Sequence, residues 1–187
     1  MSSKDANQGL YFIAIIPSDP VNSEAQLWKE HFATQYQSKA SLNSPPHITL
    51  HMPFKLKLRK EPMLIEALSV VGDQSDAFDL TIDGFDAFKP RSIFMKILEE
   101  KLLNQLQKNI RQVMKRQFNI FNSDYRDHPF HPHLTLAFRD LKKDKFELAW
   151  QEFQIKTYQE TFPVGSFWIL KHDGKRWLPL HAISLGE

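Results

Sequence analysis

The chain has 187 residues, 42% of them hydrophobic and 25% charged, with a net charge of +2 and no cysteine. Those values fit one globular domain, or one domain in two lobes, and the 15 phenylalanines point to an aromatic-rich core. A charge so near zero excludes a general polyanion binder, and the lack of cysteine excludes disulfides, thiolate nucleophiles and Cys-containing zinc sites.

Only the polar first nine residues, MSSKDANQG, read as flexible, and the first apolar run, YFIAIIP, is too short for a signal or membrane helix. A soluble, cytoplasmic protein is expected, with no membrane association and no obligate protein partner, plausibly a monomer. Tyr11 to Ile16 is β-branched and aromatic throughout, which suits a central strand buried on both faces. Asp19 as cap and Pro20 in the first turn open a helix to about Lys39, with Leu27, Trp28, Phe32 and Tyr36 on its apolar face. Next comes PPHITLHMPF, a strand by its β-branched content. Lys55, Lys57 and Arg59 then alternate with leucines, giving a basic face that reads first as solvated and second as a guide for phosphate backbone.

Pro62 starts another helix, with Leu64, Ile65 and Leu68 inward and Gly72 at its end. FDLTIDGF alternates with period two and turns at Lys89-Pro90 into its antiparallel partner, SIFMKI. The strongest helical pattern runs from about Leu98 to Phe118, on a stripe of Leu98, Leu102, Leu106, Ile110 and Met114, widened by Leu103 and Val113. A long loop, NIFNSDYRDHPFHP, leads to the strand HLTLAF. Phe146, Ala149, Trp150 and Phe153 mark a short helix, and a hairpin of SFWILKH and RWLPLHAISL turns at Asp173-Gly174. This mixture predicts an α+β fold with largely antiparallel sheets, and no glycine-rich phosphate loop occurs.

One pattern carries chemistry. PPHITL (residues 45–50) returns as HPHLTL (residues 131–136), with histidines at 47 and 133. Residues i and i+2 of a strand share a face, about 6.6 Å apart. His47 and Thr49 therefore project together over an apolar Ile48 and Leu50, as do His133 and Thr135 over Leu134 and Leu136. Facing one another across a cleft, two imidazoles suit in-line attack at phosphorus. A neutral one takes a proton from the nucleophile and a protonated one gives a proton to the leaving oxygen. The threonine hydroxyls suit the non-bridging oxygens, where charge develops. No cofactor or metal is needed for that chemistry.

The doublet resembles the two-histidine phosphoesterase superfamily, whose members carry two H-x-T/S motifs and include the 2'-5' RNA ligases and cyclic phosphodiesterases. YFIAIIP is similar to the family's opening strand and FDLTIDGFDAFKPRSIFMKI to its central hairpin. The long helix before the second motif and the closing FPVGSFWIL hairpin also fit. The resemblance implies one bilobal, pseudo-twofold α+β domain over residues 1–187, with two mostly antiparallel sheets lining a central cleft and helices outside. It implies His47 and His133 as acid and base and Thr49 and Thr135 as phosphate ligands. The implied substrate is an RNA end or small nucleotide with a 2',3'-cyclic phosphate or a 2'-5' linkage. Many relatives place Arg directly after H-x-T-L-A. Here Phe138 holds that position and Arg139 follows it, which on a strand points the side chain to the other face.

Further candidates surround the doublet. His131 is placed at the cleft mouth, and Tyr11, Phe54, Tyr125, Arg126 and Phe130 are candidate base-stacking or substrate contacts. Arg139 and, less favoured, Arg91 are candidate phosphate contacts. His51 shares the parity of His47 and is read as an exposed strand-end residue. A metal site of His128, His131 and His133 with Asp124 or Asp127 lacks regular ligand spacing and is disfavoured. The expected function is a metal-independent cyclic phosphodiesterase. Its rivals are a non-catalytic nucleotide-binding module and a reversible 2'-5' RNA ligase.

Overall fold

The computed structural model describes residues 7–121 and 129–186. Eight strands alternate with four helices: β1 (Gln8–Ile15), α1 (Val21–Gln35), β2 (Ile48–Lys57), α2 (Glu61–Asp73), β3 (Phe78–Phe88), β4 (Ser92–Ile97), α3 (Lys101–Phe118), β5 (His133–Ala137), α4 (Lys143–Phe153), β6 (Gln159–Val164), β7 (Ser166–His172) and β8 (Trp177–Ser184). All strand pairs are antiparallel, in the order β6-β3-β4-β5-β2-β1-β7-β8. The fold is thus the expected α+β class, built on a curled sheet.

The two expected sheets are two four-stranded halves that remain joined. β5 and β2 are their inner edges and share one register pair, Ile48 with Leu134. Each half repeats one plan, since the motif strand pairs with β1 in one half and with β4 in the other. Helices cover one face. The main core combines odd-numbered β1 residues (Tyr11, Ile13, Ile15) with Phe32 of α1, Leu64 and Leu68 of α2, Ile110 and Met114 of α3, and Phe146 and Phe153 of α4. Burying Leu64 and Leu68 contributes about 1.5–3 kcal/mol each. A smaller cluster on the other, concave face holds Phe12, Ala14 and Leu170, with Ile16, Trp168 and Trp177 against it.

Several elements differ from the sequence expectation for identifiable reasons. Gln8 and Gly9, expected to be flexible, belong to β1, where they pair with Lys57 and Leu56 of β2, and residues 1–6 of that stretch lie outside the described residues. α1 begins one residue after Pro20, and Asp19 accepts from the Ser23 amide (3.1 Å) and hydroxyl (2.5 Å). Leu27 is 57% exposed, while Lys29 on the neighbouring stripe is buried. α3 starts at Lys101, capped by the Glu100 carboxylate accepting from the Leu102 amide at 2.9 Å. Its buried stripe is Leu103, Leu106, Gln107, Ile110, Met114 and Phe118, leaving Leu98 and Leu102 each 40% exposed. β6 was not expected as a strand. It lies at the sheet edge and pairs only with β3, which is where a strand tolerates Pro163. Among the described residues no helix is long and apolar enough to cross a membrane.

Candidate active site at the junction of the two half-sheets

The Ile48–Leu134 pair sets the geometry. In an antiparallel register it brings Thr135 alongside His47 and His133 alongside Thr49. Ile48 and Leu134 are fully buried, so alternation puts those four side chains on the opposite, concave face. The histidines occupy one diagonal of a four-cornered patch and the threonines the other. All four are partly buried.

Both imidazoles are held in the same way. His47 Nδ1–H donates to the Pro45 carbonyl at 2.8 Å and His133 Nδ1–H to the His131 carbonyl at 2.7 Å. A carbonyl only accepts, so Nδ1 is the protonated nitrogen in each neutral ring and Nε2 is left for a ligand. Each ring also rests on a buried phenylalanine from the adjacent strand. Phe12 lies 4.8 Å from His47 and Phe94 lies 4.9 Å from His133, both at an interplanar angle of 50°. Trp177 packs edge-on against Phe12 at 4.7 Å, and Phe88 packs against Phe94 at 4.7 Å and His133 at 5.2 Å. These phenylalanines were legible only as core residues. Their role as ring supports follows from strand pairing, which the sequence does not display.

The electrostatics shift the sequence expectation. Burial pushes His47 down to about 4. Its carbonyl bond opposes that shift, while Lys29 and His133 add to it. Burial lowers His133 as well, opposed by its carbonyl bond and reinforced by His131. Both rings are therefore neutral at pH 7 in the unliganded protein, rather than poised near neutrality. A bound anionic phosphate favours the imidazolium and pulls both upward.

The remaining candidates divide by face. His131 stays beside the site, exposed, with its ring 6.1 Å from His133 and 5.3 Å from Phe88. Tyr11 and Phe54 are corrected. Both are buried in the helix-side core, stacked 5.9 Å apart, and the Tyr11 hydroxyl donates to Glu61 at 2.7 Å. Phe130 is half-buried and packs against that same core. His51 is only 1% exposed, not a surface residue. Register shifts in the β1–β2 pairing put it opposite Ile13 and edge-on to Phe54, so β2 parity breaks between Thr49 and His51. Arg139 is exposed in a tight turn after β5, at φ 56° with its guanidinium 5.0 Å from the Phe138 ring. Arg91 lies in the β3–β4 turn, its amide donating to the Phe88 carbonyl at 2.7 Å. Lys55 and Lys57 are exposed on β2, whereas Arg59 falls in a 3₁₀ turn that ends the alternation.

Tyr125, Arg126, His128, Asp124 and Asp127 lie outside the described residues. Among the described residues no group of three His, Asp or Glu is placed to hold a metal ion. A surface depression of about 440 Å³, lined by Asp83, Gly84, Lys156, Thr157, Tyr158 and Gln159, contains neither motif histidine.

Two lysines near the site escaped the sequence reading. Lys96 stands opposite His133 in the β4–β5 register and is paired with Asp83 at 2.9 Å. Lys29 of α1 is 1% exposed, and its Nζ donates to the Ser44 carbonyl at 2.6 Å, three residues before His47.

The whole arrangement has relatives. The structure aligns with Escherichia coli LigT crystallised with 3'-AMP at a TM-score of 0.69 and 21% identity, covering 96% of this chain and 99% of that one. A Thermus thermophilus protein aligns at a TM-score of 0.69 and 18% identity, over 95% of this chain and 99% of its own. In sequence, a relative from Oceanobacillus iheyensis that carries a phosphoesterase name is 25% identical over 184 residues, 95% of this chain and 98% of its own. Another from Halalkalibacterium halodurans, also named a phosphoesterase, is 26% identical over 180 residues, 95% of this chain and 98% of its own. The family model for the 2'-5' RNA ligase superfamily matches residues 17–176, a span that contains both histidine motifs and the strands that pair them. The chain belongs to that superfamily, whose two-histidine doublet it carries at the junction of its half-sheets.

Proposed function

We propose that the protein is a phosphodiesterase that opens 2',3'-cyclic phosphates at RNA or nucleotide ends by general acid–base catalysis from His47 and His133. The observation that carries this reading is the single Ile48–Leu134 pair, which gathers both His–Thr pairs on one face. A phosphate seated over the four side chains has an Nε2 on either side and a hydroxyl at each remaining corner. One imidazole takes a proton from water as the water oxygen bonds to phosphorus. The bond from phosphorus to a ribose oxygen breaks, and the other imidazole, protonated, supplies that oxygen's proton. Thr49 and Thr135 donate to the non-bridging oxygens. The phosphoesterase names of the sequence relatives and the 3'-AMP held by LigT support a phosphoester substrate with a nucleoside attached.

The test is release of nucleoside monophosphate from 2',3'-cyclic nucleotides and from short RNAs with cyclic ends, in the presence of EDTA. Turnover by the wild type and a fall of about 10²–10⁴-fold in either His47→Ala or His133→Ala is the expected result. Undiminished turnover in His47→Ala, or phosphate binding with no turnover across the panel, overturns it.

A further inference from the structure

The site is nearly symmetric. Each histidine donates to a carbonyl two residues upstream and lies on a phenylalanine at the same tilt. Two rings held so alike could take the acid and base roles either way round unless something makes them different. The helices behind the motif strands supply the difference. α1 packs against β5 and α3 against β2. Each carries one buried polar side chain toward the motif region. On α3 it is Gln107, a neutral amide whose Nε2 donates to the Leu50 carbonyl at 3.4 Å. On α1 it is Lys29, which carries a charge.

Lys29 is an unusual residue to bury. A lysine is almost never fully buried unless paired, and no carboxylate among the described residues forms an ion pair with it. Its ammonium donates to the Ser44 carbonyl, in the turn whose next carbonyl, Pro45, holds His47. Lys29 therefore reaches His47 by two routes. It anchors the turn that orients the ring, and it acts on the ring electrostatically.

We propose that Lys29 is the positioning residue that makes the two histidines non-equivalent: beyond what burial does to both rings, its anchored charge on the His47 side favours a neutral His47 as the base and leaves His133 to serve as the acid. This assignment of roles rests on the phosphodiesterase reading. The placement of Lys29's charge does not.

The other charged and titratable groups around the pair fit this division. The cation opposite His133 on β4, Lys96, is neutralised by Asp83 of β3. His131 flanks His133 and adds to its lowering, but it is exposed, where solvent screens its charge more than it does that of the buried Lys29. The 3₁₀ turn packed against α1 (Ala40–Asn43) carries no charge. Asp140, beyond β5, is occupied by the Ser38 hydroxyl and the Lys39 and Ala40 amides at 2.7–2.9 Å. Burial pushes Lys29 itself down to about 8, so its charge is present at neutral pH and lost above it.

The experiment is an NMR titration of both imidazoles in wild type, Lys29→Gln and Lys29→Arg, with the pH profile of kcat/KM measured alongside. In wild type, the His47 ring resonances should show a second inflection near pH 8 as Lys29 loses its proton, with His133 much less affected. Lys29→Gln should raise the His47 midpoint by about 1 pH unit and leave His133 nearly unchanged. Lys29→Arg should restore the wild-type value. The acid limb of kcat/KM should move with His47 and the basic limb should stay. A purely structural role predicts a lower rate at every pH with both limbs in place, and that result overturns the proposal. So does a His47 midpoint unmoved in folded Lys29→Gln, or a wild-type titration with no inflection near pH 8. The wild-type titration needs no variant to fold. The titrations need no substrate, so failure of the phosphodiesterase assay leaves the placement of Lys29's charge independently testable.

Discussion

At the scale of single residues, the repeat in the sequence marked the four side chains that the fold gathers on one face, while the residues around them lay elsewhere in the chain. His47, Thr49, His133 and Thr135 were legible because a polar pair two apart on an apolar strand has few structural reasons to occur twice. Lys29 was not legible, because nothing in QLWKEHF separates a lysine that faces solvent from one turned inward. Tyr11 and Phe54 misled for the reverse reason, since an aromatic near a motif reads equally as a platform or as core. The lowered histidines give a specific pH prediction. kcat/KM reports the free protein, in which His47 and His133 both lie below the ordinary histidine value. Its bell should therefore centre on the acid side of pH 6.5. The bell for kcat, which reports the complex, should lie at higher pH because the bound phosphate raises both rings. Measuring the two profiles from about pH 4 to about pH 9 checks this. Coincident profiles, or a kcat bell shifted toward acid, would contradict the coupling of proton donation to binding.

At the scale of elements, the pattern of burial located helices and strands well but missed their mutual approach. The expected α3 stripe holds at Leu106, Ile110 and Met114 but not at Leu98, which precedes the helix that Glu100 caps, nor at Leu102 in its first turn. β6 was hidden because Gln159, Glu160 and Pro163 lack strand character, and only an edge position beside β3 makes the segment a strand. Gly72 was read as the end of α2, but it lies within the helix, where β8 crosses. A β-carbon there would come within 2.2 Å of the Ser184 carbonyl and 2.7 Å of Ile183 Cγ2. The nearest obstacle is backbone, so α2 and β8 must separate to admit it. Gly72→Ala should destabilise the protein by about 1–3 kcal/mol, against the usual helical gain from alanine. Equilibrium urea unfolding measures this, and a midpoint at or above wild type would show that the α2–β8 contact yields freely.

At the scale of the whole molecule, two half-sheets meeting at one register pair explain how a repeat in the sequence becomes a single patch of four side chains. The sequence displays the repeat but not the pairing of β2 with β5, which are separated by two helices and a hairpin. The same architecture buries one imidazole fully and two in part, and that contributes to the pH dependence of folding. His47, His51 and His133 are all held below their unfolded value by burial. Between pH 6.5 and about 4 the unfolded chain binds more protons at these positions than the native one. Stability therefore rises with pH in that window and is lost as pH falls through it. His51 separates this effect from catalysis. It lies on the helix side, 1% exposed, with Nε2 unpartnered and Nδ1–H donating to the Met52 carbonyl at 2.9 Å. Protonating it would place a charge in the core with one acceptor for two donors. His51→Leu should flatten the acid side of the stability profile while leaving the His47 and His133 titrations in place. Urea midpoints at pH 7 and near pH 5 for wild type and variant measure the difference. An equal loss in both proteins would mean that the two concave-face histidines carry the acid sensitivity alone, and that bending β2 to turn His51 inward has no thermodynamic consequence.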